Sequence, residues 1–296
     1  MGPDVAAHFE RSIPHWQGKF VVKQLLTALK CLHDLGIAHS DTNPGNLLLS
    51  LADPIANLSP GGRSIPAHIR GNRNPHAPKR IYEDRPLTEF WDPAAPAELK
   101  LSDFGAAFPF HDPPERPIIA VALRAPEVVL QTSFDHRIDI WSFGCYLFEV
   151  FTGQALFELP PFYPMERDDD HLQQTTGKDD CHMQQTTMKD DDHLLEMISA
   201  LGPLPSAMFE TWPRRMRYFD ENLKIIRTDV EKSEIPIDAV YIGDTLEQRI
   251  QNRMPMSMTA KEGADLTHAV RSALQYDSTK RPSAADLLSL DWFQCT

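Results

Sequence analysis

Residues 138–151 read Ile-Asp-Ile-Trp-Ser-Phe-Gly-Cys-Tyr-Leu-Phe-Glu-Val-Phe, apolar on nearly every face. A helix apolar all round has to be buried, and this one is too short to cross a bilayer. The segment therefore predicts a central helix around which a core is built. A second helix is expected over 19–35, where Phe20, Val21, Val22, Leu25, Leu26, Leu29, Leu32 and Leu35 recur at helical spacing and Gly36 stands as a C-cap. Ile37-Ala38-His39 then leads into a polar loop with Pro44-Gly45, and Asn46-Leu47-Leu48-Leu49 reads as a short buried strand. At the other end, 264–293 reads as two helices broken at Pro282. Cys31 and Cys145 lie in apolar helical patterns and read as reduced core residues.

Two stretches break the regular pattern. Residues 51–97 are rich in Pro, Gly, Asn and Arg with little periodicity, the composition of an exposed, partly flexible insert. Residues 171–181 (His-Leu-Gln-Gln-Thr-Thr-Gly-Lys-Asp-Asp-Cys) recur as 182–192 (His-Met-Gln-Gln-Thr-Thr-Met-Lys-Asp-Asp-Asp). An 11-residue period is near three helical turns, so each copy could extend one helix by the same face; a repeat this short and polar more simply predicts a duplicated, poorly folded surface insert ahead of a helix at 193–201. It also carries much of the chain's acidity: eight Asp against two Lys within 168–192, in a chain of net charge −13. That charge argues against nucleic acid as a partner, and no window is long and apolar enough for a membrane span. With no secretory signal either, an intracellular place, cytoplasmic or nuclear, is the expectation.

Five motifs run in a fixed order: His39-Ser40-Asp41 to Asn46, Asp103-Phe104-Gly105, Ala125-Pro126-Glu127, Asp139-Ile-Trp-Ser-Phe-Gly144, and Lys280-Arg281-Pro282-Ser283-Ala284. Together they resemble the C-terminal lobe of a eukaryotic protein kinase. That resemblance implies a mainly α fold with short β-strands around the catalytic loop. It further implies that Asp41 accepts the substrate hydroxyl proton, and that Asn46 and Asp103 hold magnesium on ATP. His39, Gly105, Glu127, Asp139 and Arg281 are structural in such a lobe. Glu127 would pair with Arg281, and Asp139 would accept backbone N–H groups of the catalytic loop. Asn43 stands where the family places a lysine on the transferring phosphate, so the position brings a hydrogen bond but no charge.

Within the kinases, the resemblance is greatest to the serine/arginine-protein kinases of fungal type. It rests on Ser40 beside Asp41, the long insert before Asp103, Leu123-Arg-Ala-Pro-Glu-Val128, and Asp192-His-Leu through Leu201-Gly-Pro-Leu-Pro205. The implied substrate is a protein rich in Arg and Ser. No Ser, Thr or Tyr lies between Asp103 and Glu127, so that segment has no hydroxyl of its own to be switched by phosphorylation. Asp41 comes only 40 residues after Met1, which leads to the expectation that the strand-rich N-terminal lobe is absent. On that reading, 1–18 is a hinge-like remnant and 19–296 the C-terminal lobe, with flexible inserts at about 51–97 and 165–192. Such a chain alone would transfer phosphate poorly or not at all, or act instead as a pseudokinase-like module that binds a partner on the exposed lobe–lobe surface.

Overall fold

Helix α1 (His15–Asp34) forms one wall of the core, burying Val21, Val22, Leu25, Leu26 and Leu29 as their helical spacing requires. It begins at His15 and not at residue 19, because Gly18 is a contact and not a breaker. A Cβ there would stand 3.1 Å from Val150 Cγ1 and 3.3 Å from Phe151 Cε1, so glycine lets two helices cross closely. Residues 15–18 are thus helical and continuous with the predicted helix. The helix stops as predicted: Gly36, at φ 72°, donates its N–H to His33 O at 3.0 Å. Cys31 faces solvent, contrary to expectation, while Cys145 is buried.

The computed structural model describes residues 15–50, 64–66, 80–82, 98–159, 187–220 and 243–294. Most of the two predicted inserts, the residues ahead of His15, Cys181 and Cys295 lie outside these. Among the described residues six short strands pair antiparallel in twos: β1 (Ile37–Ala38) with β6 (Phe108–Pro109), β2 (Leu47–Leu49) with β5 (Leu99–Leu101), and β3 (Ser64–Pro66) with β4 (Arg80–Tyr82). The last ladder lies inside 51–97, which is thus not without regular structure. Asn46 closes a 3-10 turn over Pro44–Asn46 and does not open the strand. The first two ladders matter most for position, because they set the loop 39–46 beside the loop 102–107.

Helix α2 (Pro126–Val129) leads towards α3 (Ile138–Thr152), the central helix predicted from its apolar run. Trp141, Phe143, Tyr146, Leu147 and Phe148 are all within 1% of complete burial. Around it lie α4 (Met188–Leu201), α5 (Ser206–Thr211), α6 (Leu246–Arg253), α7 (Ala260–Ala273), α8 (Ala284–Leu288) and α9 (Asp291–Gln294). The C-terminal region thus has three helices where two were predicted, and α7 ends well before Pro282. Ser283 caps α8, its hydroxyl accepting from the Asp286 N–H, a start signal hidden behind the proline. Among the described residues no helix is long and apolar enough to cross a membrane.

A buried ion pair ties the ends of this core together. Arg281 meets both carboxylate oxygens of Glu127, its NH2 atom 2.7 Å from Oε2, and its Nε donates to Gln275 O at 2.8 Å. Both side chains are 5% exposed or less. Removing one partner would leave the other buried and uncompensated, at a cost of about 3–5 kcal/mol.

The repeat departs from its predicted looseness at its last six residues. Thr187 caps α4 in a capping box with Asp190, and Asp191 is fully buried. The Asp191 carboxylate accepts from Trp212 Nε1 at 2.7 Å and Tyr218 Oη at 3.0 Å, with Arg214 Nε 2.8 Å away. Polarity misleads here: the acids are not a solvated face but the anchor of the segment 212–218. Two residues on, His193 is also fully buried, against Phe157. Burial, and then the nearby Arg124, hold its pKa down from 6.5 to about 3. The folded state then binds fewer protons than the unfolded chain below pH 6.5. Stability should therefore fall as pH drops from 6.5 towards 3, by up to about 1.4 kcal/mol per pH unit. Urea unfolding at stepped pH should show this slope, and His193→Leu should flatten it; an unchanged slope in the variant would assign the acid sensitivity elsewhere.

Candidate active site

The loop after β1 turns because one buried carboxylate on α3 holds it. Asp139 is 1% exposed; its Oδ2 accepts the His39 N–H at 2.8 Å and its Oδ1 accepts the Ser40 N–H at 2.7 Å. His33 Nε2 lies 3.0 Å from the same Oδ2, so α1 contributes a third partner. This grip supports an unusual backbone, since Ser40 has φ 70°, a region that non-glycine residues rarely occupy. The His33 ring in turn meets His136 edge-on at 5.0 Å, and His136 stacks on Phe110 at 3.8 Å. Burial, reinforced by His33, lowers the pKa of His136, which favours a neutral ring beside the anchor.

With Ser40 fixed, Asp41 is presented half-buried at the loop's turn. Each of its carboxylate oxygens meets a different amide: Asn43 Nδ2 donates to Oδ1 at 2.8 Å and Asn46 Nδ2 to Oδ2 at 2.8 Å. Asn46 also donates to the Asp41 backbone carbonyl at 2.9 Å. Because the Asn46 nitrogen is turned inwards, its Oδ1 remains for an external cation.

The second loop is held to the first through Ser102. Its N–H and its hydroxyl both donate to Asn46 O, each at 2.9 Å, extending the β2–β5 ladder by one step. Its carbonyl oxygen lies 3.1 Å from His39 Nε2, while His39 Nδ1 accepts the Asp41 N–H at 3.3 Å. Asp103 follows at φ 61°, exposed, its Oδ1 accepting the Gly105 N–H at 3.1 Å. The structure thus brings together Asp41, Asn43 and Asn46, with Asp103 on the adjoining loop that Ser102 ties to Asn46, His39 between the loops and Gly105 donating to Asp103. Glu127 and Arg281 sit apart in the core. Phe104 packs edge-on to the His39 ring at 5.1 Å yet stays 51% exposed.

Two contributors escape sequence reasoning. Ser102 precedes the Asp-Phe-Gly triplet and His33 lies six residues before His39, but their roles need the α1–α3 crossing and the ladder register. Chemically, the site offers one oriented carboxylate and two further oxygen donors. That set suits a hydroxyl proton on one side and a hard divalent cation on the other.

A protein kinase domain model matches residues 3–293. Its nearly full-length reach does not support the expectation that a lobe is missing. Among the described residues, however, no ladder exceeds two strands. The chain is 27% identical over 268 residues to the dual specificity protein kinase lkh1 of Schizosaccharomyces pombe, covering 90% of this chain and 30% of the relative. It is 26% identical to the serine/threonine-protein kinase AFC1 of Arabidopsis thaliana, over 96% of this chain and 50% of that one. With the human dual specificity protein kinase CLK2 the identity is 23%, over 95% and 44%. The chain thus spans half or less of each of these relatives. The crystal structure of a kinase domain superposes with a TM-score of 0.61 at 24% identity, covering 99% of this chain and 71% of that one.

Removing the anchor tests the geometry. Asp139→Ala leaves the buried His39 and Ser40 N–H groups without acceptors, so urea unfolding should show a loss of about 2–4 kcal/mol. Asp139→Asn, with one acceptor oxygen left, should fall between that variant and the parent. Parent-like stability in Asp139→Ala would mean that the loop is held by something else.

Proposed function

The chain belongs to the protein kinase family, and on that premise we propose that it transfers the terminal phosphoryl group of ATP to the hydroxyl of a protein serine or threonine. The observation that carries this reading is the Asp41 carboxylate, oriented by the side-chain amides of Asn43 and Asn46, with Asp103 on the loop that Ser102 ties to Asn46. Asp41 takes the proton of the incoming hydroxyl as that oxygen bonds to phosphorus and the bond to the departing ADP oxygen breaks. The Asn46 Oδ1 and the Asp103 carboxylate are hard donors of the kind magnesium takes. When bound, that ion supplies positive charge to the phosphate oxygens.

The substrate proposed is a protein with Ser flanked by Arg, in keeping with the serine/arginine-kinase resemblance and with a net charge of −13 that favours basic partners. A segment 104–126 without Ser, Thr or Tyr supports activity that needs no phosphorylation there. Asn43, neutral where a lysine is expected, supports slow turnover. The alternative reading, a module that binds a protein partner, draws on the exposed Phe104 ring.

Phosphate incorporation from ATP into a Ser peptide flanked by Arg, compared with an Arg-free peptide of equal length, tests the assignment. Transfer should require magnesium, fall about 100-fold or more in Asp41→Ala, and favour the Arg-flanked peptide. Equal rates on the two peptides would remove the substrate class, and full activity in Asp41→Ala would remove the mechanism.

A further inference from the structure

We infer that Asn43 is a positioning residue for Asp41, setting the angle at which the carboxylate meets an incoming hydroxyl; this rests on the reading of Asp41 as proton acceptor. Asn43 works in two directions at once. Its Nδ2 donates to Asp41 Oδ1 at 2.8 Å, and its Oδ1 accepts the Gly45 N–H at 2.9 Å. The second bond caps the 3-10 turn Pro44–Asn46, with Asn43 at φ −72° and ψ 156°. The turn's far end, Asn46, donates to the other Asp41 oxygen. The turn is thus a bracket whose two ends each hold one oxygen of the same carboxylate.

Few side chains serve both ends. Lysine has three donors and no acceptor, so at position 43 it would leave the Gly45 N–H uncapped. Aspartate could cap the turn but has no hydrogen to give and would set a like charge against Asp41. Asparagine offers a donor and an acceptor on one short, planar group. The residue that forgoes charge on the phosphate thereby gains rigidity in the base, and the two tasks can be separated by substitution.

Asn43→Asp retains the cap and removes the donation. Its Gly45 amide should exchange with deuterium as slowly as in the parent, while kcat falls about 10- to 100-fold with KM for ATP and peptide within about twofold. Asn43→Ala should lose the same rate and also the Gly45 protection. Unchanged kcat in Asn43→Asp, or a loss confined to KM, would overturn the positioning role. A readout without turnover separates this role from the kinase reading: the Asn43 side-chain amide resonance should shift and exchange faster in Asp41→Ala. A static resonance overturns the contact even in an active chain. A shifted resonance in a chain that transfers no phosphate leaves the contact standing, removes the kinase reading, and with it the role.

Discussion

A single carboxylate on the central helix holds the candidate site in shape. Asp139 lies in the core, where an ion without partners would be very costly, and it meets this cost with two backbone N–H groups of the loop 39–46 and a histidine from α1. Because α3 is buried on every side, the carboxylate cannot drift, and neither can the loop that it grips. The rigidity of an apolar helix is passed to a polar loop through two hydrogen bonds. Arg281 and Glu127 do the corresponding work at the far side of the core, joining segments 154 residues apart.

What was legible in the sequence was local or motif-borne. The apolar run of α3, the heart of α1 with its terminal Gly36, and the strand at Leu47–Leu49 follow from periodicity and turn chemistry. The residues Asp41, Asn46, Asp103, Glu127 and Arg281 are named by the family resemblance that the ordered motifs carry. What was not legible depends on crossings between elements. Gly18 lies outside the apolar periodicity of α1, and its role shows only when Val150 is set beside it. Ser102 looks like an ordinary polar residue until the ladder places it on Asn46. His33 is one more polar position on a helix until α3 brings Asp139 to it.

Acidity was the least reliable guide. Asp190 and Asp191 end a repeat whose composition suggests solvated chain, yet one closes a capping box and the other holds Trp212, Tyr218 and Arg214. A carboxylate is costly to bury only while it lacks donors, and an indole, a phenol and a guanidinium together supply them. Composition reports charge but not partners. Asn43 illustrates the converse: judged by charge alone it is a deficit, while its neighbours make it a link.

The left-handed backbone at Ser40 ties the shape of the turn to the state of the core. An L-residue takes that conformation at a cost of about 1–3 kcal/mol, and here two hydrogen bonds to a carboxylate 99 positions away offset it. Those acceptors are in place only where α3 is packed, so the shape of the chemistry-bearing turn reports on the integrity of the core beneath it.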